Sequence, residues 1–122
     1  MTSYNILYVE DYEPAAITLD YVFKDLGYTS SHAASGAEAL KLYNENAYDI
    51  IFLDIHLPDM SGYEIAQKFR AHKNYKDNVI IIGHSADIDT IDRDLSNVFD
   101  FVTTKNFDPA EIKRKILKWM KK

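Results

Sequence analysis

Ile50, Ile51, Phe52 and Leu53 form an unbroken apolar run that ends at Asp54. A strand with one face in water alternates apolar with polar residues, whereas four apolar residues in succession need cover on both faces. A parallel sheet with helices packed on each side provides that cover. Val79 to Ile82 is a second run of the same kind, and neither run is long enough to cross a bilayer. The rest of the chain must therefore supply helices to both faces of a buried sheet.

It does so in alternation. Ile6 to Val9 reads as a first strand. Pro14 then suits the opening turn of a helix, where its missing N–H has no partner to lose. Ala15, Leu19, Val22 and Leu26 follow at helical spacing, and Gly27 fits the C-terminal stop. A weak strand spans Tyr28 to His32. Ser35 is the expected N-cap of a second helix carrying Leu40 and Tyr43, with Glu38 at the capping-box position. Ser61 and Gly62 open a third helix through Ile65, Ala66 and Phe69. Residues 87–95 are acidic and weakly periodic, a faint fourth helix. Val98 to Thr103 reads as the fifth strand. Asp108, before Pro109, caps a last helix with Ile112, Ile116, Leu117 and Met120 on one face. The order βαβαβαβαβα predicts an α/β fold: a (βα)5 doubly wound, five-stranded parallel sheet, flavodoxin-like, with strand order 2-1-3-4-5.

The 122 residues suit one domain, expected to span 1–122, and show no internal repeat or linker. A net charge of -5 disfavours direct nucleic-acid binding or attachment to an anionic membrane. The basic residues near the end (Lys113, Arg114, Lys115, Lys118, Lys121, Lys122) read as the solvated face of the last helix, whose dipole they complement. With no cysteine and no basic-then-apolar leader at the N-terminus, a cytoplasmic setting is expected, without membrane insertion.

In open α/β sheets, ligands bind beyond the carboxyl ends of the strands. Glu10 and Asp11 stand there after the first strand, Asp54 after the third, Ser85 after the fourth and Lys105 after the fifth. Each alone is an ordinary turn, cap or surface residue. Together, at four adjoining strand ends, they form one pocket of three carboxylates, a hydroxyl and an ammonium. Carboxylates that close repel unless a cation intervenes, and an oxygen-only set suits Mg²⁺. A carboxylate can also attack phosphorus to give an acyl phosphate, with metal, lysine and hydroxyl around the transferring oxygens. His32, His56, His72 and His84 lack the paired spacing of a transition-metal site. His84 reads as a packed or capping residue. His56, two positions after Asp54, offers its backbone carbonyl as a metal ligand.

Ile6-Leu7-Tyr8-Val9-Glu10-Asp11, the stretch from Asp49 to Gly62, and His84-Ser85-Ala86 resemble the response-regulator receiver domains of two-component signalling, over essentially the whole chain. The resemblance implies that Asp54 is the phosphoacceptor and that a histidine kinase or histidine phosphotransfer protein is the donor. Asp11 would bind Mg²⁺ directly, Glu10 would act mainly through metal-bound water, and the His56 carbonyl would complete the protein ligands. Ser85 would be the switch hydroxyl and Lys105 the phosphoryl-pairing lysine. Such a domain is a signalling switch for a downstream effector protein rather than an enzyme, acting alone or as part of a larger chain such as a hybrid kinase.

Three positions differ from the family pattern. Asn106 follows Lys105 where a proline, reached through a cis bond, is usual; a cis bond before another residue costs roughly 3 kcal/mol. The interval from Ser85 to Lys105 is short and lacks the usual glycine, so the fourth helix is expected to be truncated or irregular. Val102 occupies the place of the switch aromatic, and the adjacent Phe101 could substitute only with a register shift, which would reverse its face. These differences support an alternative: a receiver-like module that binds partners without phosphorylation. A phosphatase would want a general acid where His56 stands. A flavin carrier would need a Gly/Ser/Thr loop where Glu10, Asp11 and Tyr12 stand.

Overall fold

The computed structural model describes residues 4–57, 59–72, 79–85, 99–104 and 108–119. Its strands are β1 (Asn5–Val9), β2 (Thr29–Ala33), β3 (Ile50–Asp54), β4 (Ile80–Ser85) and β5 (Phe101–Thr104). Its helices are α1 (Glu13–Asp25), α2 (Gly36–Glu45), α3 (Gly62–Ala71) and α4 (Pro109–Trp119). The strands form one parallel sheet in the order β2-β1-β3-β4-β5, the order expected from the sequence. The faint helix at 87–95 lies outside the described residues.

Local chemistry sets the helix ends. Pro14 sits in the first turn of α1, and Gly27, at φ 80°, takes the left-handed conformation that ends it. The hydroxyl of Ser35 accepts the Glu38 N–H at 3.2 Å, and that of Ser61 accepts the Glu64 N–H at 3.1 Å. Each serine thus satisfies a backbone donor that the first turn leaves unpaired.

Both faces of the sheet are covered, which is why its central strands carry no alternation. On one face Leu7, Val9, Ile51, Leu53 and Ile81 pack with Tyr43 of α2 and Ile65 and Phe69 of α3. On the other, Ile6, Tyr8, Ile50, Phe52 and Ile82 pack with Leu19, Val22 and Phe23 of α1 and Ile112 and Ile116 of α4. Successive residues of each strand feed opposite layers. Each fully buried Leu, Ile or Phe in them contributes about 1.5–3 kcal/mol.

Three details differ from the sequence reading. The fourth strand continues through Gly83, His84 and Ser85 instead of stopping at Ile82. The fifth begins at Phe101, because Asp100 pins the chain there: its N–H donates to Ile81 O and its Oδ2 accepts the Ile81 N–H, each at 2.8 Å. Leu117 lies on the outer side of α4, 46% exposed, while Ile112 and Ile116 face the core. Met120 lies outside the described residues. Trp119 covers the edge of the core by stacking on Phe101, ring centroids 5.1 Å apart. Two basic residues of α4 are paired with carboxylates: Lys113 with Asp25 of α1, and Arg114 with Glu111 of α4 itself.

Candidate functional site

Parallel strands all end at the same edge of the sheet, so β1 and β3 deliver their following carboxylates to one place. Val9 is level with Leu53 in the β1–β3 register, which sets Glu10 beside Asp54. Glu10, Asp11 and Asp54 each offer an oxygen there, and all three oxygens lie within 4.8 Å of one another. Glu10 is fully buried and Asp54 is 1% exposed, whereas Asp11 lies at the surface. Three negative charges in so small and partly dry a space repel strongly unless a cation lies among them.

The oxygen set fits a small hard cation. Mg²⁺ holds its donors at 2.0–2.1 Å, which puts opposite donors about 4.2 Å apart. Carboxylates already within 4.8 Å need only a small adjustment to share such an ion, and the exposed side of Asp11 leaves room for its waters. Oxygen atoms without sulfur match this ion in chemistry as well as in spacing.

The loop after β3 is folded tightly against the strand end. The His56 N–H donates to Asp54 Oδ1 at 3.0 Å, which orients the carboxylate and sets the His56 backbone beside it. The His56 side chain itself is exposed. The Ile55 N–H donates to His84 O at 3.0 Å, and the Gly62 N–H to Ile55 O at 2.7 Å. His56 and Ser61 form an isolated antiparallel bridge across the loop. Asp59 anchors the far side: its carboxylate accepts the Gly36 N–H at 2.9 Å and the Ala37 N–H at 3.0 Å. Those two amides, Gly36 first, hold the Asp59 carboxyl below the usual carboxylate range. Asp59 thus ties the loop bearing Asp54's neighbours to the start of α2.

Of the residues singled out in the sequence, Glu10, Asp11 and Asp54 come together, with the His56 backbone against Asp54. Ser85 ends β4 at the same edge, one residue past His84, which is level with Asp54. The Ser85 side chain and the whole of Lys105, like Asn106, lie outside the described residues. Sequence reasoning missed the loop anchor Asp59 and the closeness of His84 Nδ1 to Glu10 Oε1, 3.9 Å apart. An aspartate in a loop before a helix is too common to signal the first. The polar end of an otherwise apolar β4 was the only signal of the second.

The response regulator receiver domain model matches residues 6–117. The cell cycle transcriptional regulator CtrA of Caulobacter vibrioides is 32% identical over 110 residues, which are 88% of this chain and 46% of CtrA. The chain therefore spans less than half the length of that relative. The response regulator TrrA of Thermotoga maritima, solved in complex with Mg(2+)-BeF, is similar with a TM-score of 0.82 at 31% identity, over 95% of this chain and 98% of the other. A chain from the crystal structure of histidine kinase ThkA in complex with TrrA is similar with a TM-score of 0.79 at 32% identity, over 95% and 97%. Among the described residues, no helix is long and apolar enough to cross a membrane.

Proposed function

The chain belongs to the response regulator receiver domain family, and on that premise we propose that Asp54 accepts a phosphoryl group from a histidine kinase or histidine phosphotransfer protein. The observation that carries this reading is the juxtaposition of a buried Asp54 with Glu10 and Asp11, their oxygens within 4.8 Å at the carboxyl edge of a parallel sheet. The likeness to TrrA, solved with Mg(2+)-BeF and with its kinase ThkA, supports both the cofactor and the class of donor. The whole of 1–122 would form one such domain, working in the cytoplasm and switching a surface read by a downstream effector protein, without itself touching nucleic acid.

Glu10, Asp11, Asp54 and the backbone carbonyl of His56 would hold Mg²⁺. When bound, the ion offsets negative charge on the oxygens of the transferring group. A carboxylate oxygen of Asp54 attacks phosphorus in line as the bond to the donor's imidazole nitrogen breaks, and that nitrogen keeps the electron pair. The His56 N–H holds Asp54 in position for the attack. By their places at the end of β4 and just after β5, the Ser85 hydroxyl and the Lys105 ammonium would then bond phosphoryl oxygens. The domain is a switch whose self-dephosphorylation sets the length of the signal, not an enzyme acting on other molecules.

Incubation with acetyl phosphate, with and without Mg²⁺, tests the reading by intact mass. The expected result is a Mg²⁺-dependent gain of one phosphoryl group that Asp54→Asn abolishes. No gain from acetyl phosphate or from a cognate kinase would overturn it. One feature favours the second reading, a module that binds without phosphorylation: Phe101 is stacked on Trp119, on the face opposite Val102, so no aromatic stands at the usual coupling position. Under that reading Asp54→Asn leaves partner binding unchanged.

A further inference from the structure

Glu10 is held at more points than a strand-end residue needs for packing. Its N–H donates to Ala33 O at 3.0 Å. Its carbonyl oxygen lies 2.8 Å from His32 Nε2, and because a carbonyl only accepts, that ring nitrogen carries the proton. The imidazole of His32 is kept in place by stacking on Tyr8, centroids 4.9 Å apart. At the side chain, Glu10 Oε2 accepts the Tyr12 N–H at 3.2 Å, and Oε1 lies 3.9 Å from His84 Nδ1.

His84 occupies a telling place. It is level with Asp54 in the β3–β4 register, 3% exposed, and its ring lies 4.6 Å from that of Phe52. On its other side Thr103 of β5 is its register partner, and Lys115 of α4 donates to the Thr103 hydroxyl at 2.9 Å. A polar row therefore crosses the sheet just beneath the pocket, on the face where Ile82, Phe52 and Tyr8 make the next row apolar. An apolar side chain would fill the place of His84 equally well if packing were its only task.

We infer that His84 is a positioning residue for the metal-binding carboxylates. The Tyr12 N–H already holds Oε2 of Glu10, and His84, with its proton on Nδ1, would hold Oε1 and so orient that buried carboxylate in the pocket. A shift of about 1 Å brings the 3.9 Å separation to hydrogen-bond length. The inference rests on the reading of Glu10 as a Mg²⁺-binding carboxylate. Groups that orient metal ligands from behind change metal affinity although they never touch the ion.

Calorimetric titration of unphosphorylated protein with MgCl₂ tests it in wild type, His84→Phe and His84→Asn, alongside thermal melts in EDTA. Phenylalanine keeps a ring against Phe52 and removes the donor, while asparagine restores an N–H near the place of Nδ1. The expected result is Mg²⁺ affinity about tenfold weaker in His84→Phe, with most of that loss recovered in His84→Asn. Should the EDTA melts show that His84→Phe does not fold, His84→Gln replaces it, since its amide falls nearer the place of Nε2; weakened binding supports the inference and full binding overturns it. Equal or tighter affinity in His84→Phe, or as large a loss in His84→Asn, also overturns it. A wild type that takes up no Mg²⁺ defeats the metal reading itself, a pattern distinct from wild-type binding that His84→Phe leaves intact.

Discussion

Gly62→Ala probes how rigidly the strand end that carries Asp54 is held. A β-carbon at Gly62 would lie 2.6 Å from Ile55 Cα and 2.8 Å from Asp54 O. Carbon atoms in ordinary contact stand about 3.5–4.0 Å apart, so close to 1 Å of separation has to be found. Neither atom belongs to a rotatable side chain, so the backbone at Asp54 and Ile55 must move. The 2.7 Å hydrogen bond from Gly62 N–H to Ile55 O resists that movement. Overpacking costs about 1–3 kcal/mol, and the better helix propensity of alanine returns less than about 1 kcal/mol. A net loss of about 1–2 kcal/mol follows, or about 4–8 °C in melting temperature for a chain of this size. Urea melts measure the loss, and acetyl phosphate labelling measures its effect on Asp54, which should be phosphorylated more slowly. Gly27→Ala is the control: Gly27 has φ 80° but nothing within 4 Å of an added β-carbon. Alanine there costs about 1–2 kcal/mol of left-handed strain and leaves labelling unchanged. A Gly62→Ala protein as stable as wild type, labelled at the same rate, would refute the steric reasoning.

Asp59→Asn should flatten the acid limb of the stability curve. The lowered carboxyl of Asp59 contributes stability that is present above its unfolded value, near 4, and lost as pH falls through its folded one. Acid unfolding followed by circular dichroism compares the two proteins. Tyr8 is the opposite case: burial, reinforced by Asp20, pushes its phenol up to about 12. Its contribution is whole below the unfolded value near 10 and disappears as pH climbs through the folded one, so Tyr8→Phe should unfold less readily in base. Trp119→Ala removes a half-buried ring stacked on Phe101 and should cost about 1–2 kcal/mol in a urea melt.

The buried sheet was legible because its two central strands are apolar without interruption, a pattern that only two covered faces can satisfy. The ends of the strands were less so. Asp100 uses its own backbone and carboxylate to imitate a strand pairing with Ile81, and a carboxylate in that role leaves no mark in apolar periodicity. Gly83 reads as the end of a run, yet it is where the ring of Phe99 lies close to β4, 2.9 Å from an added β-carbon. The exposed Leu117 shows the limit of helical spacing, since Ile112 and Ile116 already fill the stripe that faces the sheet.

The acidic pocket was legible for a different reason. In a parallel sheet every strand ends at one edge, so residues following β1 and β3 meet whatever the length of chain between them. Contacts that run sideways along that edge depend on register, which sequence does not give. The pairing of Asp54 with His84 is one residue of register away from pairing Asp54 with Ser85, and only the former brings an imidazole toward Glu10. Parity alone does decide the aromatic question: Phe101 and Val102 are neighbours on β5 and must face opposite layers. Phe101 joins Trp119 on the α1 and α4 face, while Val102 packs with Ile81 and Phe99 on the other. Only a one-residue slip of register, which turns every side chain of β5 to the opposite face, would exchange them. Position 102 therefore presents a valine, not an aromatic, to the layer that holds Ile81 and Phe99.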